Sequence, residues 1–216
     1  MAYYRRSGLL GSLPPVTKNL LIINVIVFAL FKLLSYLGYK MLMIKYLALF
    51  PINSGYFNPV QLVTHMFMHW NFMHIFFNMF GLFLFGRVLE TAIGGKKFFI
   101  LYIVSGLGAA FLQLAVFRLR FDPAHPVLAP MLGASGAIFG VLAAFAVMFP
   151  NVELMLIFLP IPIKAKYFIP IYAVIELFLG VVNFSGDDIA HFAHLGGAIV
   201  GFILIKIWKK NQFKIY

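Results

Sequence analysis

Long apolar runs, separated by short polar connections, dominate the chain. Six runs stand out, at about 17–37, 61–86, 97–117, 131–149, 167–184 and 189–208. A helix needs about 20 mainly apolar residues to cross the hydrocarbon of a bilayer. Backbone groups cannot stay unpaired in lipid, so each run is predicted to be a transmembrane helix. The runs are continuous rather than alternating, which speaks against a membrane β-barrel. The fifth is the least regular, because Pro170 and Glu176 interrupt it. The predicted fold class is all-α, a polytopic bundle of six transmembrane helices. No internal repeat or low-complexity tract divides it, so one domain over residues 1–216 is expected, with short terminal tails.

Composition agrees with a membrane as solvent. The chain is 63% hydrophobic and only 11% charged, against about 25% charged in soluble domains. It has no cysteine, which excludes disulfides, zinc thiolates and thiol catalysis. The net charge of +11 lies mainly in the connections between runs. There it reads as a topology signal facing anionic lipid, and no nucleic-acid partner is expected. Six spans place both termini on one side, with 12 Lys and Arg there and five on the other. The termini are therefore expected to be cytoplasmic. Asp187 and Asp188 fall on the outer side, just before span six. The first run is long and no small-residue cleavage site follows it, so it is expected to be a retained helix rather than a signal peptide. The connection at 38–60, rich in Tyr and Phe, is expected in the outer interface.

Polar side chains inside apolar spans are expensive and mark candidate sites. Span two carries His65, His69, His74 and Asn78; read as one helix, it places His74 and Asn78, four apart, on one face. Span four carries Gly133-Ala134-Ser135-Gly136 and then Gly140. Span six carries His191, His194, Gly196, Gly197 and Gly201. Each cluster alone has a bland reading. Histidines near a helix entrance bond neighbours or interfacial water, and a serine in a membrane helix often bonds its own upstream carbonyl. Geometry joins them. Spans two, four and six run the same way, so Ser135 and His194 lie at similar shallow depths. The pairs Gly136/Gly140 and Gly197/Gly201 have the GxxxG spacing that lets helix backbones approach closely. The constellation of Ser135 and His194 then suggests a nucleophile and its base.

These residues resemble the rhomboid family over all six spans, about 15–208. The likeness rests on His74-x-x-x-Asn78, Gly133-x-Ser135-Gly136, Ala193-His194-Leu195-Gly196-Gly197, and the stretch Gly86 to Glu90 that closes span two. It implies a serine protease cleaving other membrane proteins within or beside a transmembrane segment. It implies a Ser–His dyad rather than a triad, with Ser135 as nucleophile and His194 as general base. His191 is set aside because Leu-Gly-Gly does not follow it. The oxyanion role falls to His74, Asn78 and the Ser135 backbone N–H. Phe139, one turn below the serine, matches an aromatic position that supports the base. Many members carry Trp-Arg where this chain has Val60-Gln61, which bears on loop anchoring and substrate preference.

No acidic residue is expected beside His194, Asp187 being about two turns away. No cofactor and no metal are expected, since no HExxH occurs and no carboxylate lies beside the histidines of span two. The expected partners are transmembrane protein substrates and the lipid bilayer. The compact six-span layout without a transit segment suggests a bacterial inner membrane. The rival readings are a transporter or channel using His65, His69, His74 and Glu176 as a polar path, and a rhomboid-like protein that binds clients without cutting.

Overall fold

A computed structural model describes residues 13–119, 130–156, 159–182 and 191–212. Asp187 and Asp188 lie outside the described residues. The spans are α1 (Pro15–Tyr36), a helical run over Phe72–Ile93, α6 (Gly95–Leu119), α7 (Ser135–Met148), α8 (Ala165–Val182) and α9 (His191–Gln212). All but α7 are long and apolar enough to cross a membrane, and α7 is a shorter apolar helix. The fold is thus a polytopic helical bundle. Its polarity is that of a protein dissolved in lipid. Val25 and Ile26 on α1, and Val174 and Phe178 on α8, face outward, whereas Asn24 and Glu176 on the same helices are buried.

Pro15 opens α1 at a position where its missing N–H costs nothing. The next two backbone N–H groups, which the helix itself cannot pair, are taken by Glu90. Val16 donates to Oε1 at 2.9 Å and Thr17 to Oε2 at 2.6 Å. The carboxylate that ends the Gly86–Glu90 stretch therefore caps the first span from another helix. Glu90→Ala is expected to lower stability by about 2 kcal/mol, the range for hydrogen bonds to a charged group. Thermal unfolding in detergent would read the loss, and an unchanged transition would show that the cap is idle.

Span two departs from the sequence expectation of one helix over 61–86. Its first part is a short helix, α3 (Gln61–Thr64), and a 3₁₀ turn over His65–Phe67, after α2 (Lys40–Leu47). The chain then breaks, and the spanning helix starts at Phe72 as α4 (Phe72–Gly81). It continues through a π turn (Leu82–Gly86) into α5 (Arg87–Ile93). The cause is Asn71. Its backbone is extended and its side chain accepts a hydrogen bond from the His74 N–H at 2.9 Å, a standard N-cap. His65 and His69 consequently do not share a helix with His74.

Span four is also corrected. The apolar run covers 131–149 and predicts Ser135 a few residues inside, but the helix begins at Ser135 itself. Its 14 residues make a rod of about 21 Å, and Gly136 to Phe145 are all buried. α7 packs most extensively against α9, and α6 closes on both. A Cβ at Gly197 would fall on the Gly136 carbonyl, and one at Gly201 on the Gly140 carbonyl. The two glycine pairs thus face each other with no side chain between them. Near the far end, Lys209 Nζ donates to the Val147 carbonyl at 3.4 Å.

Between α7 and α8 runs an antiparallel hairpin, β1 (Glu153–Leu156) and β2 (Leu159–Lys164), which the sequence reading did not anticipate. Pro160 and Pro162 sit in β2. Both strands of a two-stranded sheet are edges, which is where proline is tolerated.

Candidate active site

The segment leading into α7 is fixed before the serine is reached. Leu49 and Met131 exchange two backbone hydrogen bonds of 2.8 Å, and the Gly133 N–H donates to the His65 carbonyl at 2.9 Å. The region before span two therefore pins the strand that delivers Ser135. Gln61 organises that region. It accepts from the backbone of Phe50 and Asn58 and donates to the carbonyls of Lys45 and Tyr56. An amide can accept and donate at once, so a neutral side chain anchors the connection. Gly133 has φ +129°, and a Cβ there would meet His74 Nε2 at 2.6 Å. Only glycine can take that backbone while leaving room for the imidazole.

Ser135, first in α7, and His194, in the first turn of α9, come together. The hydroxyl donates to His194 Nε2 at 2.8 Å. The Phe139 ring stacks on the imidazole, with centroids 4.3 Å apart and planes 5° from parallel, and Tyr172 packs on the other partner ring, Phe139, at 5.0 Å. The glycine contacts of α7 and α9 hold the two backbones close enough for these side chains to touch.

The other face of the imidazole corrects the expectation that no acid stands near it. His194 Nδ1–H donates to Glu176 Oε2 at 2.8 Å. His191 Nδ1 bonds the same oxygen at 2.7 Å. Glu176 is 4% exposed. A carboxylate, an imidazole and a hydroxyl therefore stand in series, where the sequence reading expected a pair alone. Glu176 was legible as an unusual charge in an apolar run. An intramembrane carboxylate without a partner is costly, and the histidines of the next span are the donors available to it.

His74 stands beside Gly133, close to Ser135. Asn78 Nδ2 donates to the His74 carbonyl at 2.8 Å, which uses one of its two hydrogens. Both lie on α4. His65 and His69, outside the spans, play a different part. Burial pushes the His65 imidazole down to about 4 and that of His69 down to about 3, so both are neutral at physiological pH. His65 Nδ1–H donates to the Gln61 carbonyl at 2.8 Å, and the His69 ring meets His74 edge-on at 4.9 Å.

Among the described residues, Glu176, His191 and His194 are also the group whose ligating atoms cluster within 4.8 Å. The separations of 2.7 and 2.8 Å from the shared oxygen are hydrogen-bond lengths. Ligands about 2.0–2.1 Å from a tetrahedral metal would stand roughly 3.3 Å apart.

Fold and site together define a polytopic membrane protein with a hydroxyl, an imidazole and a carboxylate in hydrogen-bonded series inside its helical bundle. The chain belongs to the rhomboid family: the Rhomboid domain model matches residues 57–211. Members of this family are generally intramembrane serine proteases. The chain is 30% identical over 210 residues to Rhomboid protein 1, mitochondrial, of Saccharomyces cerevisiae, covering 92% of this chain and 58% of that protein. It is 30% identical over 196 residues to the human presenilin-associated rhomboid-like protein, mitochondrial, covering 88% and 48%. Rhomboid-like protein 11, chloroplastic, of Arabidopsis thaliana is 30% identical over 161 residues, covering 71% and 53%. The chain spans about half the length of the curated relatives it matches. These relatives overturn the expectation of a bacterial inner membrane, because their names place them in mitochondria and chloroplasts. The cytoplasmic assignment of the termini goes with it.

Proposed function

We propose that this chain is a serine-type endopeptidase that hydrolyses peptide bonds in or beside transmembrane segments of other membrane proteins. Ser135 is its nucleophile and His194 its general base. The observation that carries the reading is the 2.8 Å contact between Ser135 Oγ and His194 Nε2, within the reach proton transfer requires. Serine is a weak nucleophile until a base takes its proton. His194 takes it as Oγ bonds the substrate carbonyl carbon, then returns it to the leaving amine as the C–N bond breaks. Water repeats the sequence on the acyl-enzyme: His194 accepts its proton, and Ser135 leaves with that proton.

The developing oxyanion needs donors. Ser135 is the first residue of α7, so its backbone N–H is one the helix does not use. The second Asn78 amide hydrogen and a ring N–H of His74 are the side-chain donors, each of the kind worth about 2.7–4 kcal/mol in well-studied serine proteases. Gly133, Gly136 and Gly197 support the site by clearing space rather than by chemistry, and Phe139 holds the plane of the base. The partners are transmembrane proteins and the bilayer, with no nucleic acid. The chemistry calls for no cofactor and no metal. The names of the relatives favour an organellar membrane.

A fluorophosphonate reacts only with an activated serine. Wild-type protein in detergent is expected to acquire one phosphonyl group, mapped by mass spectrometry to the peptide containing Ser135. A label on another residue, or no label under conditions where a model transmembrane substrate is cut, would remove Ser135 from its role.

A further inference from the structure

The carboxylate of Glu176 is the feature of the site that a nucleophile–base pair leaves unexplained. It lies on α8, on the side of His194 away from the serine, and is almost wholly buried. An ionised carboxylate in the middle of an apolar helix is kept only where donors meet it. Among the described residues two imidazoles do, and both reach one oxygen: His194 Nδ1 at 2.8 Å and His191 Nδ1 at 2.7 Å. We infer that Glu176 is a positioning residue that turns the Ser135–His194 pair into a hydrogen-bonded triad, with His191 holding the carboxylate in place. The inference rests on the protease reading above.

The argument concerns which nitrogen carries the proton. A neutral imidazole has one N–H, and the partner of one nitrogen decides the role of the other. A carboxylate has no hydrogen to offer, so His194 Nδ1 must be the donor toward Glu176. Nε2 then presents its lone pair to the Ser135 hydroxyl, which is the tautomer a base needs. With Nδ1 facing apolar side chains instead, both tautomers would be open to the ring and part of the population would be idle. The second effect appears during the reaction. As Nε2 takes the serine proton, the ring becomes a cation inside the membrane protein, and the negative charge of Glu176 lies 2.8 Å from its Nδ1. The proton on Nδ1 stays there, and the one on Nε2 leaves with the amine. Orientation and charge compensation are the two services a carboxylate performs in soluble serine hydrolases.

His191 explains why the carboxylate points the right way. It is three residues before His194 and therefore on the same helix face, and its Nδ1 reaches the same oxygen. Phe139 fixes the ring plane from a third direction. Glu176 is thus held by two donors on α9, and His194 by α8 on one side and α7 on the other.

Four variants compared with wild type on one transmembrane substrate test this. Glu176→Gln keeps the shape and can still accept from both rings, so it removes charge alone. Glu176→Leu removes charge and acceptor with a side chain that suits an apolar helix, and it keeps the test open if the amide disturbs folding. Ser135→Ala reports on the underlying protease reading. Glu176→Gln is expected to lower kcat by about 10- to 100-fold and Glu176→Leu by about 10³-fold, with KM within twofold of wild type, because the carboxylate touches no substrate; loss of the acid's tautomer control costs about 10⁴ in a soluble protease. Glu176→Asp, with the charge retained on a shorter stem, is expected to recover part of the loss. Glu176→Gln and Glu176→Leu both within threefold of wild type, or a change confined to KM, would overturn the inference while leaving the protease intact. Wild-type activity abolished by a chelator and restored by zinc would overturn it in favour of a metal on the same three side chains. Cleavage that survives in Ser135→Ala would instead sink the protease reading on which it stands.

Discussion

Ser135→Ala and His194→Ala are each expected to lower kcat by at least about 10⁴-fold, and the double variant no further. The reason is the hydrogen bond between the two side chains. Without the base, the hydroxyl keeps its proton and attacks poorly. Without the hydroxyl, the imidazole has nothing of the enzyme to activate. Groups that act as one unit are grossly non-additive, and in a soluble serine protease the loss of either costs about as much as the loss of both. Independent roles would make the factors multiply. A double variant far below either single one would therefore refute the shared step, and a single variant keeping more than about 1% of wild-type kcat would refute the role of the residue it lacks. Single-turnover cleavage in proteoliposomes is the appropriate measurement. Alanine at Ser135 disturbs the fold least, whereas His194→Ala also takes one donor from the buried Glu176 carboxylate, so its unfolding temperature is measured alongside its rate. Among the described residues, the Ser135 side chain bonds His194, and the His194 ring also meets Phe139 and Glu176.

The second large effect comes from a residue with no chemistry. Gly197→Leu places a Cβ where the Gly136 carbonyl now lies, so α9 must move away from α7. The hydroxyl–imidazole distance is 2.8 Å, and a misplacement of about 1 Å can cost on the order of 10²-fold in rate. The expected result is a loss of at least that size together with a lower unfolding temperature, because the neighbouring Gly201–Gly140 contact opens too. Gly81→Ala is the control. Its added Cβ would meet only Ile138 Cγ2, at an ordinary 3.5 Å, and both rate and stability should stay near wild type. A Gly197→Leu protein with a normal rate would mean that the glycine face does not set the active geometry.

The sequence made the six apolar runs and the polar clusters on three of them legible, because lipid punishes polarity so strongly that each exception is conspicuous. Helix ends were less legible. The Asn71 cap is masked by composition, since hydropathy continues smoothly through Met66, Phe67 and Met68 while the backbone breaks after them. His65 and His69 were for that reason placed on a shared helix with His74. The hairpin at 153–164 was hidden by the same greasy composition, where two prolines were the signal against helix. Glu176 was seen but treated as an interruption of its run. Spacing along one helix cannot reveal a partner on the next, and eighteen residues separate it from His194. The role of Gln61 was out of reach for a similar reason, because its four hydrogen bonds join backbone groups spread from Lys45 to Asn58.

The shortness of α7 bears on how the proposed hydrolysis could proceed in oil. At the level of Gly136 the neighbouring α6 is at Ala109, and it climbs on to Leu119. Ten further residues raise that wall about 15 Å above the serine. The central helix starts low among taller ones, with Ser135 about that far below the end of α6. On the protease reading, water and a peptide strand would both have to come down from that end of the bundle to meet the hydroxyl.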